Sequence, residues 1–258
     1  MIDRREQVLA HLMLGVFAVI ALAPIVRILG MSLSDPGNFS VAWDQGHFGT
    51  YMRSSVLVTS AVVVAAGLLS ILAGYAFGMM RFRGEQVLFY LFLVGLMVPL
   101  EATIVPLYYD LRDLGLTDTY WALILPQAGV SVAFGTFWMR AFFRSVPRSL
   151  VEAARLDGSS SWSTLWRVVL PLGRPAVLTM VVLIFMWTWN EFLLALVMVS
   201  DEALRTAPLG LAFFQGRNTT DEALLAAGAV IVATPVVIVY VFLQRHFIRG
   251  MLSGATKG

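Results

Sequence analysis

Apolar runs of about twenty residues, parted by short charged breaks, constrain this chain more than any other feature. A helix rises about 1.5 Å per residue, so about twenty such residues cross the roughly 30 Å hydrocarbon core of a bilayer. The breaks are abrupt: RFRGE at 81–85, DLRDLGLTDT at 110–119 and SDEALRT at 200–206. Between them lie six predicted spans, Val8–Leu29, Ser54–Met80, Gln86–Tyr109, Tyr120–Ala141, Pro175–Val199 and Ala223–Gln244. The expected fold is therefore all-α, a polytopic membrane protein with six transmembrane helices. Only 13% of residues are charged, against about 25% in a soluble domain. The polar stretches are too short to fold separately, so residues 1–258 are read as a single transmembrane domain. A net charge of +2 gives no electrostatic footprint for nucleic acid. With no cysteine there is neither a disulfide framework nor a thiolate metal site.

The distribution of cations sets an expected orientation. With the N-terminus inside, the cytoplasmic segments hold Arg4, Arg5, Arg81, Arg83, Arg140, Arg144, Arg148, Arg155, Arg167, Arg174, Arg245, Arg249 and Lys257. The outer side and outer span ends hold Arg27, Arg53, Arg112, Arg205 and Arg217. The loops are short, the regime in which an excess of Lys and Arg marks the inside. Both termini are therefore expected in the cytoplasm. A short basic start followed by Ala21-Leu22-Ala23 also resembles a cleavable leader. The apolar run continues to Leu29, however, which favours an uncleaved first span.

Within the spans, proline and a few polar residues stand out. Pro99 and Pro106 bracket Glu101, Pro126 falls in the fourth span and Pro235 in the sixth. Each removes a backbone hydrogen bond that lipid cannot replace, so a kink or a break beside a cavity is expected. Gly74 and Gly78 form a small-xxx-small pair suited to close helix packing within the bundle. Glu101 and the run Trp187, Trp189, Asn190 and Glu191 are candidates for a substrate path. A carboxylate facing lipid costs about 2.5–3.5 kcal/mol, so Glu101 and Glu191 are expected to face a bundle interior or a wet cavity. Indole faces with amide and carboxylate groups suit a sugar; an interfacial aromatic belt is the other reading of the same residues. His11, His47 and His246 are dispersed without ligand spacing, so no metal site is expected. The only lysine, Lys257, lies in no phosphate loop, so ATP hydrolysis is not expected of this chain.

The longest inner loop, 142–174, is predicted to hold two short amphipathic helices. Ser145 is a candidate N-cap, Pro147 falls in the first turn and Gly158 ends the first helix. Pro147, Leu150, Val151 and Ala154 share an apolar stripe opposite Arg148, Glu152 and Arg155. The second helix starts from the serines at 159–161, carries Trp162, Leu165, Trp166 and Val169, and ends near Pro171. Its spacing fits either helices lying on the membrane or a helix docked in a protein groove.

EAARLDG at 152–158 followed by WRVVLPLGRP at 166–175 resembles the EAA motif of permease subunits of bacterial ABC importers. The motif runs EAA, three residues, glycine, nine residues and I/V-x-LP, met here by Glu152-Ala153-Ala154, Gly158 and Val168-Val169-Leu170-Pro171. FRGEQ at 82–86, VPLEATIVPLY at 98–108, LGLTDTYWALILP at 114–126, WNEFLLAL at 189–196 and QRHFIRGMLSGATKG at 244–258 are similar to the maltose-type carbohydrate permeases. The resemblance implies the type I importer permease fold, in the bacterial cytoplasmic membrane, with a cytoplasmic coupling helix. It implies a second homologous permease, two ATPase subunits that bind ATP and Mg, and an extracytoplasmic solute-binding protein. Carried over, Glu152, Ala153, Ala154, Asp157, Gly158, Pro171 and Pro175 would couple the chain to its ATPase, with Ala153 and Ala154 allowing close seating. The substrate class would be a disaccharide, oligosaccharide or related solute. The alternative is a secondary, proton-coupled transporter using Glu101 or Glu191, in which the EAA segment has no role.

Overall fold

The computed structural model describes residues 4–214 and 221–255, with side chains over 6–214 and 221–244. Arg217 and Lys257 lie outside the described residues, as do the side chains of Arg4, Arg5, Arg245 and Arg249 and of the closing motif after Gln244. Every regular element among the described residues is helical. Four helices are long and apolar enough to cross a membrane: α1 (Arg4–Ser32), α3 (Phe48–Met79), α6 (Tyr120–Ser145) and α11 (Glu222–Ala255). Two bent pairs add to them. One is α4 (Glu85–Met97) with α5 (Leu100–Asp113), and the other α8 (Ser161–Leu172) with α9 (Arg174–Trp189). The short helices α2 (Asn38–Gln45), α7 (Arg148–Leu156) and α10 (Leu193–Met198) lie between them, with single helical turns at Glu202–Leu204, Ala207–Gly210 and Leu211–Phe214.

By internal contacts the chain divides into two compact units. The first comprises residues 1–49 and 210–235. In it Phe48 is fully buried and stacks on Phe214 with centroids 6.3 Å apart, over Gly46 and Gly228. The apolar side chains of α1 from Val8 to Leu29, by contrast, stand exposed.

The second unit comprises residues 50–209 and 236–258, and its core is built on α3 against α6. A Cβ added at Gly74 would lie 2.6 Å from Met139 Cβ, and one at Gly78 would lie 2.7 Å from Phe143 Cβ. The small pair expected from sequence is thus a contact within the chain, where only glycine lets the backbones approach this closely. Arg140 of α6 donates through Nε to the Phe77 carbonyl at 3.2 Å and sets its guanidinium 3.7 Å over the Phe89 ring. It ties α3 and α4 to α6.

The far end of α3 is held by polar bonds. Ser54 Oγ lies 3.0 Å from Tyr120 Oη and donates to the Ala203 carbonyl. Ser55 Oγ accepts from the Ala207 amide at 2.8 Å. Asp118, in the left-handed region at φ 55°, accepts from the amides of Ser200 and Asp201. These two bonds hold its carboxyl below the usual carboxylate range.

The prolines act differently from one another. Pro99 breaks the third span by 96°, because the residue before a proline is driven extended, as Val98 is at φ −81° and ψ 115°. Pro106, Pro126 and Pro235 stay inside unbroken helices. Beside Pro126 the Gln127 side chain donates to the Leu123 carbonyl at 2.9 Å. The fifth span departs from expectation: instead of one helix over Pro175–Val199, α9 ends at Trp189 and α10 restarts at Leu193.

Gly74→Leu is expected to destabilise the purified chain by about 1–3 kcal/mol through overpacking, read as a lowered melting temperature in detergent. Gly67→Leu, on the same helix where a Cβ meets nothing within 4 Å, is expected to leave it unchanged. Because the folded-state pKa of Asp118 lies below its unfolded value, its link stabilises the fold at neutral pH and is lost as pH falls through that depressed value. Thermal stability measured below about pH 4 is therefore expected to fall more steeply in the native chain than in Asp118→Asn.

Candidate functional site

The end of the bundle opposite Asp118 carries the segment that the sequence singles out. Helix α6 runs on to Ser145, whose hydroxyl donates back to the Phe142 carbonyl. Ser145 is therefore a last-turn residue rather than the expected N-cap. Nothing interrupts α6 until Val146, which precedes proline and turns extended at ψ 130°. Pro147 then takes the N-cap position of α7.

The end of α7 is a glycine stop. Gly158 sits at φ +81°, with its amide bonded to the Arg155 carbonyl at 3.0 Å and the Ser159 amide to the Ala154 carbonyl at 2.9 Å. That pair of bonds closes a helix only when the residue between them is left-handed, a cost glycine avoids. Ser160 then caps α8, accepting from the Ser163 amide.

Helix α7 is fixed to the bundle along one stripe. Val151 and Ala154 are buried, and Val151 joins Tyr75, Phe143, Val146, Leu165 and Val169 in the main core. Tyr75 packs edge-on against Phe143 and donates to the Ser161 carbonyl. Ala154 thus faces its own chain, because at about 100° per residue it shares the inner side with Val151. Ala153 and Glu152 are exposed, as are Asp157 and Gly158. Diametrically outward stand Ser149 and Leu156, and Leu156 is 90% exposed. Leu156 escaped the sequence reading, yet its signal was there: an apolar residue out of phase, set between Arg155 and Asp157 on the polar side.

Beyond α7 the chain makes an elbow. Helices α8 and α9 meet at 82° around Gly173, with Pro171 before it and Pro175 after it. A Cβ at Gly173 would come within 2.5 Å of the Phe142 ring. On the α9 side, Trp138 Nε1 donates to the Ala176 carbonyl at 2.9 Å. Gly173, between Pro171 and Pro175 and outside the residues that the motif names, is the closest point of this joint. Within α8, Leu165 and Val169 are buried, Trp166 is half-buried and Trp162 is exposed against its edge-on neighbour Trp166.

The residues expected to line one substrate path are divided. Trp187 and Trp189 are two apart on α9, so they leave the helix on opposite sides. Trp189 is 2% exposed and stacks on Phe185, while Trp187 is 51% exposed and lies edge-on to Phe134 with centroids 4.6 Å apart. The two indoles therefore do not share one face of the helix. Asn190, exposed, donates to the Met186 carbonyl at 2.7 Å and closes α9. Glu191, half-buried, accepts from the Leu194 amide and so caps the restart at α10. Glu101 is exposed in the first turn of α5, where a carboxylate is favoured by the helix dipole.

The profile of a family described as binding-protein-dependent transport system inner membrane component matches residues 66–253. The chain is 40% identical over 223 residues to the probable ABC transporter permease protein YurM of Bacillus subtilis, covering 86% of this chain and 74% of that one. It is 32% identical over 255 residues to the trehalose transport system permease protein SugB of Mycobacterium tuberculosis, covering 92% and 93%. Its fold matches a chain of a bacterial ABC transporter involved in import of the acidic polysaccharide alginate, with TM-score 0.82 and 25% identity over 96% of this chain and 99% of that one.

Gly173→Val is expected to open the elbow by striking Phe142 and to lower the melting temperature, by about 1–3 kcal/mol in stability. Adding Phe142→Ala to that variant is expected to recover part of the loss. A double-mutant cycle with no coupling between the two sites would refute the contact.

Proposed function

The chain belongs to the binding-protein-dependent transport system inner membrane components, the permease subunits of ABC importers, and on that premise we propose that it passes a carbohydrate across the cytoplasmic membrane under the drive of partner ATPases. The observation that carries the reading is α7, bound to the bundle by Val151 while Ser149, Glu152, Ala153 and Leu156 face away from it. A short helix rigidly seated on one side and offering a small, apolar-centred face on the other suits a groove in a second protein. Ala153 permits close seating there, Leu156 supplies the anchor and Glu152 stands at the margin to pair with a cation. Ala154 serves the inner side.

In this reading ATP and Mg are bound by two ATPase subunits, and a second, homologous permease completes the membrane unit. An extracytoplasmic binding protein delivers the solute to the end marked by Asp118 and Tyr120. The arginine bias puts α7 and both termini in the cytoplasm. ATPase closure moves α7, and the elbow at Gly173 passes that movement to α9, so that the spans alternate between two openings. The relatives named for trehalose and for alginate support a carbohydrate as cargo. Glu101 and Trp187 are the exposed groups of the expected path left to meet it, while Asn190 is engaged with the Met186 carbonyl. Glu191, engaged with the Leu194 amide, holds the α9–α10 break rather than carrying protons.

Leu156→Asp is expected to cost about 2 kcal/mol of ATPase association, on the order of thirtyfold in affinity, measured by co-purification in mild detergent. Gly158→Glu is expected to abolish association or transport while membrane insertion stays intact. Arg112→Gln, at the other end of the bundle, is expected to change neither. Undiminished ATPase recovery with Leu156→Asp would refute the docking face, and ligand identification on the cognate binding protein would name the sugar.

A further inference from the structure

Arg148 and Arg155, on the flank of α7 next to Val151, are left without a role. With Val151 and Glu152 they line a cavity of about 540 Å³, whose opposite wall is the end of α3 and the turn after it, residues 78–82. Arg81 adds a third guanidinium from that wall. Against these three positive charges stand the Glu152 carboxylate and the C-terminal end of α3, equivalent to roughly half a negative charge. A surplus of more than one positive charge remains. Neither the Arg112–Asp113 nor the Arg144–Glu85 ion pair involves these three arginines.

The depth of the cavity points to its occupant. The apolar stretch of α3 ends at Met79 and α4 begins at Glu85, which sets the intervening turn where hydrocarbon gives way to headgroups. Met80 and Phe82 stand exposed beside the arginines. Unpaired guanidinium groups next to exposed apolar side chains at this level suit a ligand with an anionic head and an acyl body.

We infer that this cavity binds the phosphodiester headgroup of an anionic phospholipid such as phosphatidylglycerol. Arg81, Arg148 and Arg155 offer forked donors that match phosphate oxygens, and Met80 and Phe82 receive the start of the acyl chains. The lipid then tethers α7 from the membrane side while Leu156 faces away. Glu152 borders both sites, but Leu156 lies outside the cavity, so Leu156→Asp and the arginine variants let the two readings fail separately.

The test titrates the purified full-length chain in detergent with phosphatidylglycerol or phosphatidylcholine and counts bound lipid by native mass spectrometry. The native chain is expected to bind phosphatidylglycerol about tenfold more tightly than phosphatidylcholine, and removal of each arginine charge to cost about fivefold of that preference. The preference is expected to vanish in R81Q/R148Q/R155Q, to survive largely in R81K/R148K/R155K and to be unchanged in R112Q. Equal phosphatidylglycerol binding by the native and triple-glutamine chains would overturn the assignment. Displacement of the lipid by millimolar inorganic phosphate would also overturn it, in favour of a soluble anion. Loss of ATPase co-purification in the triple-glutamine chain, with lipid binding intact, would overturn it in favour of a protein interface.

Discussion

The contact of α3 with α6 at Gly74 and Gly78 is the interaction on which the rest of the second unit depends. In a bilayer, burying apolar surface against another helix gains little over burying it in lipid tails, so association rests on close packing and on bonds that lipid cannot supply. The glycines bring the two backbones together, and Arg140 then reaches the Phe77 carbonyl and the Phe89 ring. The same contact presents Tyr75 and Phe143 as the floor on which Val151, Leu165 and Val169 collect. Helix α7 is held firmly because that floor is close-packed.

Much of this was legible in the sequence. The spacing of apolar runs located the membrane-crossing helices, the glycine pair located a close packing, and Gly158 located a helix stop. These readings depend on local backbone chemistry and on the bilayer, both of which act on a few consecutive residues. What stayed hidden depends on partners distant in the chain. Pro99 breaks its helix whereas Pro106, Pro126 and Pro235 do not, a difference that the residue type alone does not carry. The segment 207–210 falls in no predicted span yet is buried, and the bond that holds Ala207 comes from Ser55, more than a hundred residues away.

The Trp187–Glu191 run shows the limit of reading residue types without their period. Aromatic, amide and carboxylate groups in succession suggest a sugar site, yet on a helix neighbours in sequence point apart. Asn190 and Glu191 turn out to serve the backbone at a break between two helices, the work that polar residues within a span often do. The EAA segment was the reverse case. Its helical spacing left membrane-lying and docked helices equally open, and the exposure pattern of Ser149, Ala153 and Leu156 against buried Val151 and Ala154 gives it two distinct sides.

The 82° elbow at Gly173 has a mechanical consequence. Two rods joined nearly at a right angle transmit almost none of an axial push along the second rod. A thrust along α8 cannot drive α9 like a piston through the bilayer, which would drag polar ends into hydrocarbon. It can only swing α9 sideways, in the plane where lipids yield most easily. The Phe142 ring packed against Gly173 leaves no room for a side chain inside the joint, which lets the bend close this tightly.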